Sequence, residues 1–156
     1  EAKLMQAVEA LGRNDYKKAG MYIASARLWP ENLGVGKPYD EEIDSRLEDW
    51  MEYISGGSRS AGILDRILLF TPRVDNTVRN FIPSNALVTA WAMEKKLGRD
   101  QAITWLDGQV KAYPAFGDVL RWCKEVFENG RAIRFDGADA NAGILEALMD
   151  RSISGK

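Results

Sequence analysis

Residues 97–114 read LGRDQAITWLDGQVKAYP, and the helical spacing within this stretch decides the fold. Apolar side chains recur there every three or four positions, which is the spacing of one helix face: Ala102, Ile103, Leu106, Val110 and Tyr113. Gly98-Arg99 interrupts the pattern before this helix, and Pro114 ends it. Because the turn at Gly98-Arg99 is so short, the helix before it must run antiparallel to this one as a hairpin.

The same spacing recurs along the rest of the chain. Segments 41–54 and 118–128 show it clearly, and 86–97 is apolar almost all round, as expected of a helix buried between neighbours. Weaker versions cover 2–11, 15–28, 61–70 and 143–151. Alternating strand patterns are nearly missing, and RAIRF at 131–135 is a candidate for a short extended piece. We therefore predict an all-α protein.

Glycine- and proline-containing breaks divide these helices into pairs. The predicted antiparallel hairpins cover approximately 2–28, 41–70, 85–113 and 118–151. A chain of 156 residues suits one domain. The sequence predicts a single helical-repeat domain over 1–156, because a recurring helical hairpin of about 34 residues is typical of repeat architectures.

Two stretches resemble the second half of a tetratricopeptide repeat. In RNDYKKAGMYIASARLWPEN (13–32), the turn, small, large, small pattern of that family is matched by Asp15-Tyr16, Ala19, Ile23 and Ala26, with Pro30 one place early. In 97–114 the same spacing is kept by Ala102, Leu106 and Pro114, with Gln109 where the family has alanine. Helices 41–54 and 61–70 depart from the signature. The resemblance implies a short α-solenoid of stacked hairpins that serves as a protein-interaction or scaffold module.

A second resemblance involves WPENLGVGKPYD (29–40) and RLEDWMEY (46–53). Together they are similar to the C-terminal repeat region of large bacterial proteins that carry N-terminal β domains related to carbohydrate-active enzymes. This likeness implies an alternative function, a structural C-terminal spacer or cap for such a domain on the same polypeptide. The chain starts Glu1-Ala2-Lys3 without a signal, so we expect a fragment of a longer protein. The compartment stays open, with the cytoplasm favoured.

Composition excludes several function classes. A net charge of −2 gives no basic surface for nucleic acid or for an anionic membrane, and no apolar run approaches the roughly 20 residues of a membrane span. The chain has no histidine, which removes serine–histidine and cysteine–histidine catalysis and the commonest transition-metal ligand. Cys123 is the single cysteine and falls on an apolar helix face, typical of a small buried hydrophobe. We expect no enzyme activity, no cofactor, no metal and no nucleic-acid partner.

The loop at 29–40 allows two interpretations. Gly34, Gly36 and Lys37 have the composition of an anion-binding loop. The phosphate loop of nucleotide enzymes, however, requires G-x-x-x-x-G-K-[ST], and here Pro38 replaces the hydroxyl residue while Gly34 stands too close to Gly36. We favour a simple connection between helices in which Asp40 caps the next helix.

Acidic residues on the helix predicted at 41–54 also allow two interpretations. Asp44, Glu48 and Glu52 share a face at four-residue spacing, which suits a cation site or an acid–base pair. We favour a solvated helix face, since an isolated surface stripe lacks the apolar shielding that shifts carboxylate pKa values.

DGADANAG (136–143) has the composition of a calcium loop. Its alternate positions after Asp136 are Ala138 and Ala140, which offer no side-chain oxygen. We predict a turn in which Asn141 or Asp139 caps the last helix.

The five tryptophans are either platforms for a sugar or peptide or packing residues. Most lie on apolar faces, which favours packing, and Trp29 beside the 29–40 loop is the exception.

Candidate partner-binding residues are those at the edges of the apolar faces. They are Arg46, Tyr53 and Arg121, on helices 41–54 and 118–128. With helix 85–97 these helices are expected to line a groove formed by the first helix of each hairpin. The expected ligand is a protein or peptide partner, or another domain of the same polypeptide.

Overall fold

The computed structural model describes residues 2–27, 44–56, 61–71, 81–139 and 141–151. These residues form eight α-helices and no strand, so the all-α prediction is confirmed for the described chain. The helices are α1 (Ala2–Gly12), α2 (Tyr16–Arg27), α3 (Arg46–Gly56), α4 (Ala61–Leu68), α5 (Ala86–Leu97), α6 (Arg99–Ala112), α7 (Gly117–Asn129) and α8 (Ala142–Asp150). Short 3₁₀ turns, Pro83–Asn85 and Pro114–Phe116, lead into α5 and α7.

Glycines at two helix ends adopt backbone conformations that are unfavourable for residues with a Cβ atom. Gly98, between α5 and α6, has φ 98° and ψ 165°, and its N–H donates to the Glu94 carbonyl at 3.1 Å. Gly130 ends α7 in the left-handed conformation, with φ 68°. The chain therefore reverses directly at Gly98, and α5 packs against α6 across this turn.

The helices from α1 to α7 pack in chain order, each against the next. In addition, α3 packs against α5, and α5 packs against α7. Helix α5 lies at the centre of this arrangement, and residues 86–92 are all buried. The all-round apolar character of 86–97 thus corresponds to a helix enclosed by its neighbours, as predicted.

Small and large side chains alternate in the core at the positions that the spacing singled out. Ala102 and Leu106 of α6 are fully buried, and Ala19 and Ile23 of α2 are buried in the same order. A small residue allows two helices to approach, and the larger residue one turn later fills the space between them.

The last helix follows a different course. An irregular segment, 130–139, leaves α7, and α8 then packs against α1. A Cβ atom added to Gly12 at the end of α1 would lie 3.1 Å from Cδ of Arg151, just beyond α8. The extended piece considered at 131–135 forms no strand, because its polar groups bond to helices. The Ile133 carbonyl accepts from Trp122 Nε1 at 2.6 Å, and the Phe135 N–H donates to Glu146 Oε1 at 2.7 Å.

Helix α3 begins at Arg46, later than the spacing predicts, because Asp44 and Ser45 are not helical. Asp44 Oδ1 accepts from the Arg46 N–H at 3.3 Å, and the Ser45 carbonyl accepts from the Asp49 N–H at 3.0 Å. The first bond satisfies an N–H group of the first turn, where helices lack internal partners, and the second is the first i to i−4 bond of the helix. The 29–40 loop, with Lys37, lies outside the described residues, as does Trp29.

No helix among the described residues combines the length and apolar character needed to cross a membrane.

Candidate functional site

Arg46 is an interior residue, with only 3% of its surface exposed. Its guanidinium forms two parallel bonds with the Asp44 carboxylate, Nε to Oδ1 at 2.9 Å and Nη2 to Oδ2 at 2.8 Å. The remaining nitrogen, Nη1, donates to Thr89 Oγ1 of α5 at 3.0 Å. The prediction that a partner can reach Arg46 is therefore wrong, because burial and the bonds to Asp44 and Thr89 commit this side chain to the interior.

The Asp44–Arg46 pair joins three parts of the chain. Asp44 Oδ2 also accepts from the Ile82 N–H at 2.8 Å, just before the 83–85 turn. The Arg46 guanidinium carbon lies 4.0 Å from the centroid of the Phe70 ring, after α4. A buried ion pair whose hydrogen bonds are satisfied in this way fixes α3 against the start of α5.

The solvated acidic face expected on α3 is wrong at Asp44 and at Asp49, which are both buried. Asp49 Oδ1 lies 2.8 Å from Nη2 of Arg66 on α4, and hydrogen bonding to this carboxylate raises the pKa of Arg66. Both carboxylates form ion pairs with arginines, and the four-residue spacing alone did not indicate these pairs. Among the described residues, no group of three or more carboxylate or cysteine side chains is placed to hold a metal ion.

Tyr53 forms the half-buried edge of an aromatic cluster. Its ring stacks on Trp50 at a centroid distance of 5.1 Å, and Trp50 in turn lies 5.4 Å from Trp91 of α5. Trp50 is fully buried, and its Nε1 has no hydrogen-bond partner among the residues that the structure describes. Trp50 and Trp91 are packing residues, as their apolar positions predicted.

Arg121 is exposed on α7, with 63% of its side chain accessible. Its Nη2 lies 2.6 Å from Oδ1 of the exposed Asp118, one turn earlier. A Cβ atom at Gly117 would come within 3.0 Å of Nη1 of Arg121, so the guanidinium lies back over the first turn of the helix. Arg121 is therefore presented at the surface beside Phe116, which precedes this turn.

The structure does not bring Arg46, Tyr53 and Arg121 onto one accessible surface. The ring of Phe81 lies 5.9 Å from the Arg46 guanidinium carbon and 5.4 Å from the ring of Phe116. The predicted groove is also closed along the first turns of α5, where residues 86–92 are buried on every side. The groove prediction is thus wrong for this part of helix 85–97, because neighbouring elements cover it.

A second polar cluster, which the sequence did not reveal, joins the start of α8 to the start of α5. Asp139 accepts hydrogen bonds from the Ser84 hydroxyl, from the Ser84 N–H at 3.2 Å, and from the Asn141 and Ala142 N–H groups at 2.9 and 3.2 Å. Asn141 Nδ2 donates to Oδ1 of the buried Asn85 at 3.0 Å. Within the described part of the chain, the Nδ2 of Asn85 has no hydrogen-bond partner. We name this set of four polar side chains (Ser84, Asn85, Asp139 and Asn141) the α8 anchor.

The prediction that Asp139 or Asn141 caps the last helix is confirmed for Asp139, which binds N–H groups at the start of α8. Asn141 makes no side-chain capping bond and contacts Asn85 instead. No signal in the sequence pointed to Ser84 and Asn85, which lie more than fifty residues earlier.

Cys123 is fully buried beside the anchor, and its Sγ lies 3.5 Å from the Ser84 carbonyl oxygen, to which it donates. Burial raises the pKa of this thiol far above its ordinary value. The group therefore stays protonated and behaves as the small buried hydrophobe that was predicted.

Comparisons of the chain with protein-family models, with curated proteins and with solved structures found no match.

Proposed function

We propose that this chain is a protein-interaction or scaffold module of helical repeats, similar to the tetratricopeptide family, and that it has no catalysis of its own. The observation that carries the proposal is the packing order of the helices. Each helix from α1 to α7 packs on the next, and α3, α5 and α7 also pack side by side. This pattern is typical of repeat arrays, which bind a protein or peptide partner, or a domain of the same polypeptide, along an extended face.

The placement of the charged groups supports a module without an active site. The buried carboxylates Asp44 and Asp49 each meet an arginine, and both pairs hold neighbouring elements together. Lys124 of α7 likewise lies 2.6 Å from Asp107 of α6, and this hydrogen bond raises the pKa of the lysine. A general acid or base needs access to a substrate, whereas these groups are used in packing.

Exposed side chains of the types enriched at interfaces offer contacts for a partner. Tyr16 and Met21 are exposed on α2, Leu69 follows α4, and Leu97 ends α5. Arg121 is exposed on α7. Aromatic residues, methionine and arginine are over-represented at protein interfaces.

The test is a binding measurement with a partner captured on the immobilised full chain. Arg121→Ala is expected to weaken binding about tenfold, in the range of a contributing interface residue. Arg134→Ala is the control, because Arg134 is also exposed, with 87% of its side chain accessible, and pairs only with the exposed Asp136 among the described residues. Circular dichroism and thermal melting check that both variants stay folded.

Two results would contradict the proposal. Binding of Arg121→Ala that is as tight as that of the wild type and of Arg134→Ala would remove Arg121 from the interface. Turnover of a glycoside or phosphoester by the purified chain, abolished by a single carboxylate substitution, would establish an active site and overturn the non-catalytic function.

The second candidate function is a structural spacer or cap that supports a carbohydrate-active domain on the same polypeptide. The packing of α8 against α1 favours this function, because the last described helix then covers part of the first. A β-rich domain encoded upstream, with a melting temperature that rises when this chain is attached, would support it. An unchanged melting temperature would argue against it.

A further inference from the structure

Helix α8 is enclosed on most of its circumference. Six of its nine residues are buried: Ala142, Ile144, Leu145, Ala147, Leu148 and Met149. Only Gly143 and Asp150 are exposed, and Glu146 is half-buried. A helix that lies on a protein surface buries one apolar stripe and leaves the opposite face to water. Helix α8 therefore lies in a groove and not on a flat surface.

One wall of this groove is α1, and the turn before α5 lies at its end. Helix α8 packs against α1, and the α8 anchor ties its start to the turn that opens α5. The segment before α8 is held on α7, where Trp122 Nε1 donates to Ile133 and the Trp122 and Phe135 rings lie 5.6 Å apart. Helix α8 therefore lies on the first helix of the first predicted pair, and its start lies on the turn before the first helix of the third.

The attachment of α8 is polar at its start and apolar along its length. Asp139 of the α8 anchor bonds both to Ser84 and to α8 itself, and the buried Asn85 keeps an Nδ2 donor without a partner in the described ranges. The irregular segment 130–139 connects α8 to the rest of the chain. Net hydrogen-bond free energies are modest because water replaces the lost partners. Release of α8 therefore breaks few polar bonds, and its main cost is the exposure of the apolar side chains that α8 buries.

We infer that α8 is an internal ligand of the groove, and that the groove fits an amphipathic helix of a partner protein that displaces α8. The inference rests on the proposed interaction function and deepens it. The partner helix carries apolar residues at the spacing of Ile144, Leu145, Leu148 and Met149, with an aspartate before its first turn to bond Ser84. Its apparent affinity is reduced by the fraction of molecules in which α8 still fills the groove.

The first measurement is the binding of a fluorescent peptide, residues 136–151, to the full chain by anisotropy. Asp139→Ala removes the anchor bonds and is expected to tighten peptide binding about tenfold, since more molecules have an open groove. Asp136→Ala is the matched control, because Asp136 is exposed in the same segment and pairs only with Arg134 among the described residues. The same peptide carrying Leu145→Asp is expected not to bind.

Hydrogen exchange of the wild-type chain gives a result that does not depend on any variant. The amides of α8 are expected to exchange at least about tenfold faster than those of α5, because α8 opens without global unfolding. Equal exchange in α8 and α5 would overturn the inference, even where Asp139→Ala fails to fold.

The peptide measurement also separates this inference from the proposed function. Equal peptide affinity for wild type, Asp139→Ala and Asp136→Ala, with all three folded, overturns the inference. A partner that binds the chain without competition from the peptide leaves the interaction function standing and places its site outside the α8 groove.

Discussion

Arg46 shows at the residue scale what a buried charge requires. Its three guanidinium nitrogens donate to Asp44 and Thr89, and the Phe70 ring covers its face. Removing two charges from water costs several kcal/mol per ion, and only a complete set of bonds offsets this cost. The pair therefore depends on having every partner in place.

Arg46→Ala is expected to lower the free energy of unfolding by about 3–5 kcal/mol, since it leaves the Asp44 carboxylate buried without its cation. Arg46→Lys is also expected to destabilise, because an ammonium group does not reproduce the two parallel bonds. Urea unfolding measures both. Arg121→Ala, at an exposed ion pair, is the control and changes stability by less than about 1 kcal/mol. An equally small effect of Arg46→Ala would contradict the buried pair.

Ala102 is fully buried on α6, so a larger side chain has no room there. Ala102→Leu is expected to destabilise the protein by about 1–3 kcal/mol through overpacking. Thr104→Leu is the matched control, because Thr104 is exposed on the same helix and its change stays within about 0.5 kcal/mol. Thermal melting is expected to give a lower melting temperature for Ala102→Leu than for Thr104→Leu. Identical melting temperatures would show that Ala102 is not in close contact with a neighbouring helix.

Helical spacing predicts which face of a segment is apolar, but it does not predict which distant residues meet that face. Arg46 stands at the edge of an apolar stripe, and its burial depends on Thr89 and Ile82, which are far along the chain. Asp139 was predictable as a cap because capping is local. Its bond to Ser84 was not, since nothing local to either residue indicates the other.

At the scale of elements, the sequence predicted the helices closely. Segments predicted at 86–97 and 118–128 correspond to α5 and α7 within one residue at each end. Local signals explain this accuracy, because glycine and proline mark the ends and the apolar period marks the interior. The start of α3 was missed because Asp44 turns away from helix geometry to bond Arg46 and Ile82.

The turn between α5 and α6 depends on a glycine. Gly98→Ala is expected to cost about 1–3 kcal/mol, because its φ of 98° and ψ of 165° are strained for any side chain. Gly108→Ala is the control, since Gly108 is helical, exposed and has no atom within 4 Å of an added Cβ. That change is expected to stabilise by up to about 1 kcal/mol. Urea unfolding measures the change in the free energy of unfolding for both variants. Equal changes for Gly98→Ala and Gly108→Ala would show that the turn adopts another conformation.

At the scale of the whole molecule, the packing of each helix on the next could be predicted from the short connections between them. The position of α8 could not be predicted in this way. The spacing at 143–151 indicated an apolar face without indicating that α1 covers it. The connection of α8 through the irregular 130–139 segment allows many positions, and tertiary packing selects one. The inference that α8 is an internal ligand depends on this position.

The most direct test is therefore a crosslink between α1 and the end of α8. In the full chain, Gly12→Cys with Arg151→Cys places two thiols where a Cβ on Gly12 would lie 3.1 Å from the Arg151 side chain. Cys123 does not compete, because it is fully buried and its thiol pKa is raised. With a short bis-maleimide, the double variant is expected to give an internally crosslinked monomer, and each single variant is expected to give none. Absence of the internal crosslink in the folded double variant, or crosslinks only between two copies, would contradict the position of α8 against α1.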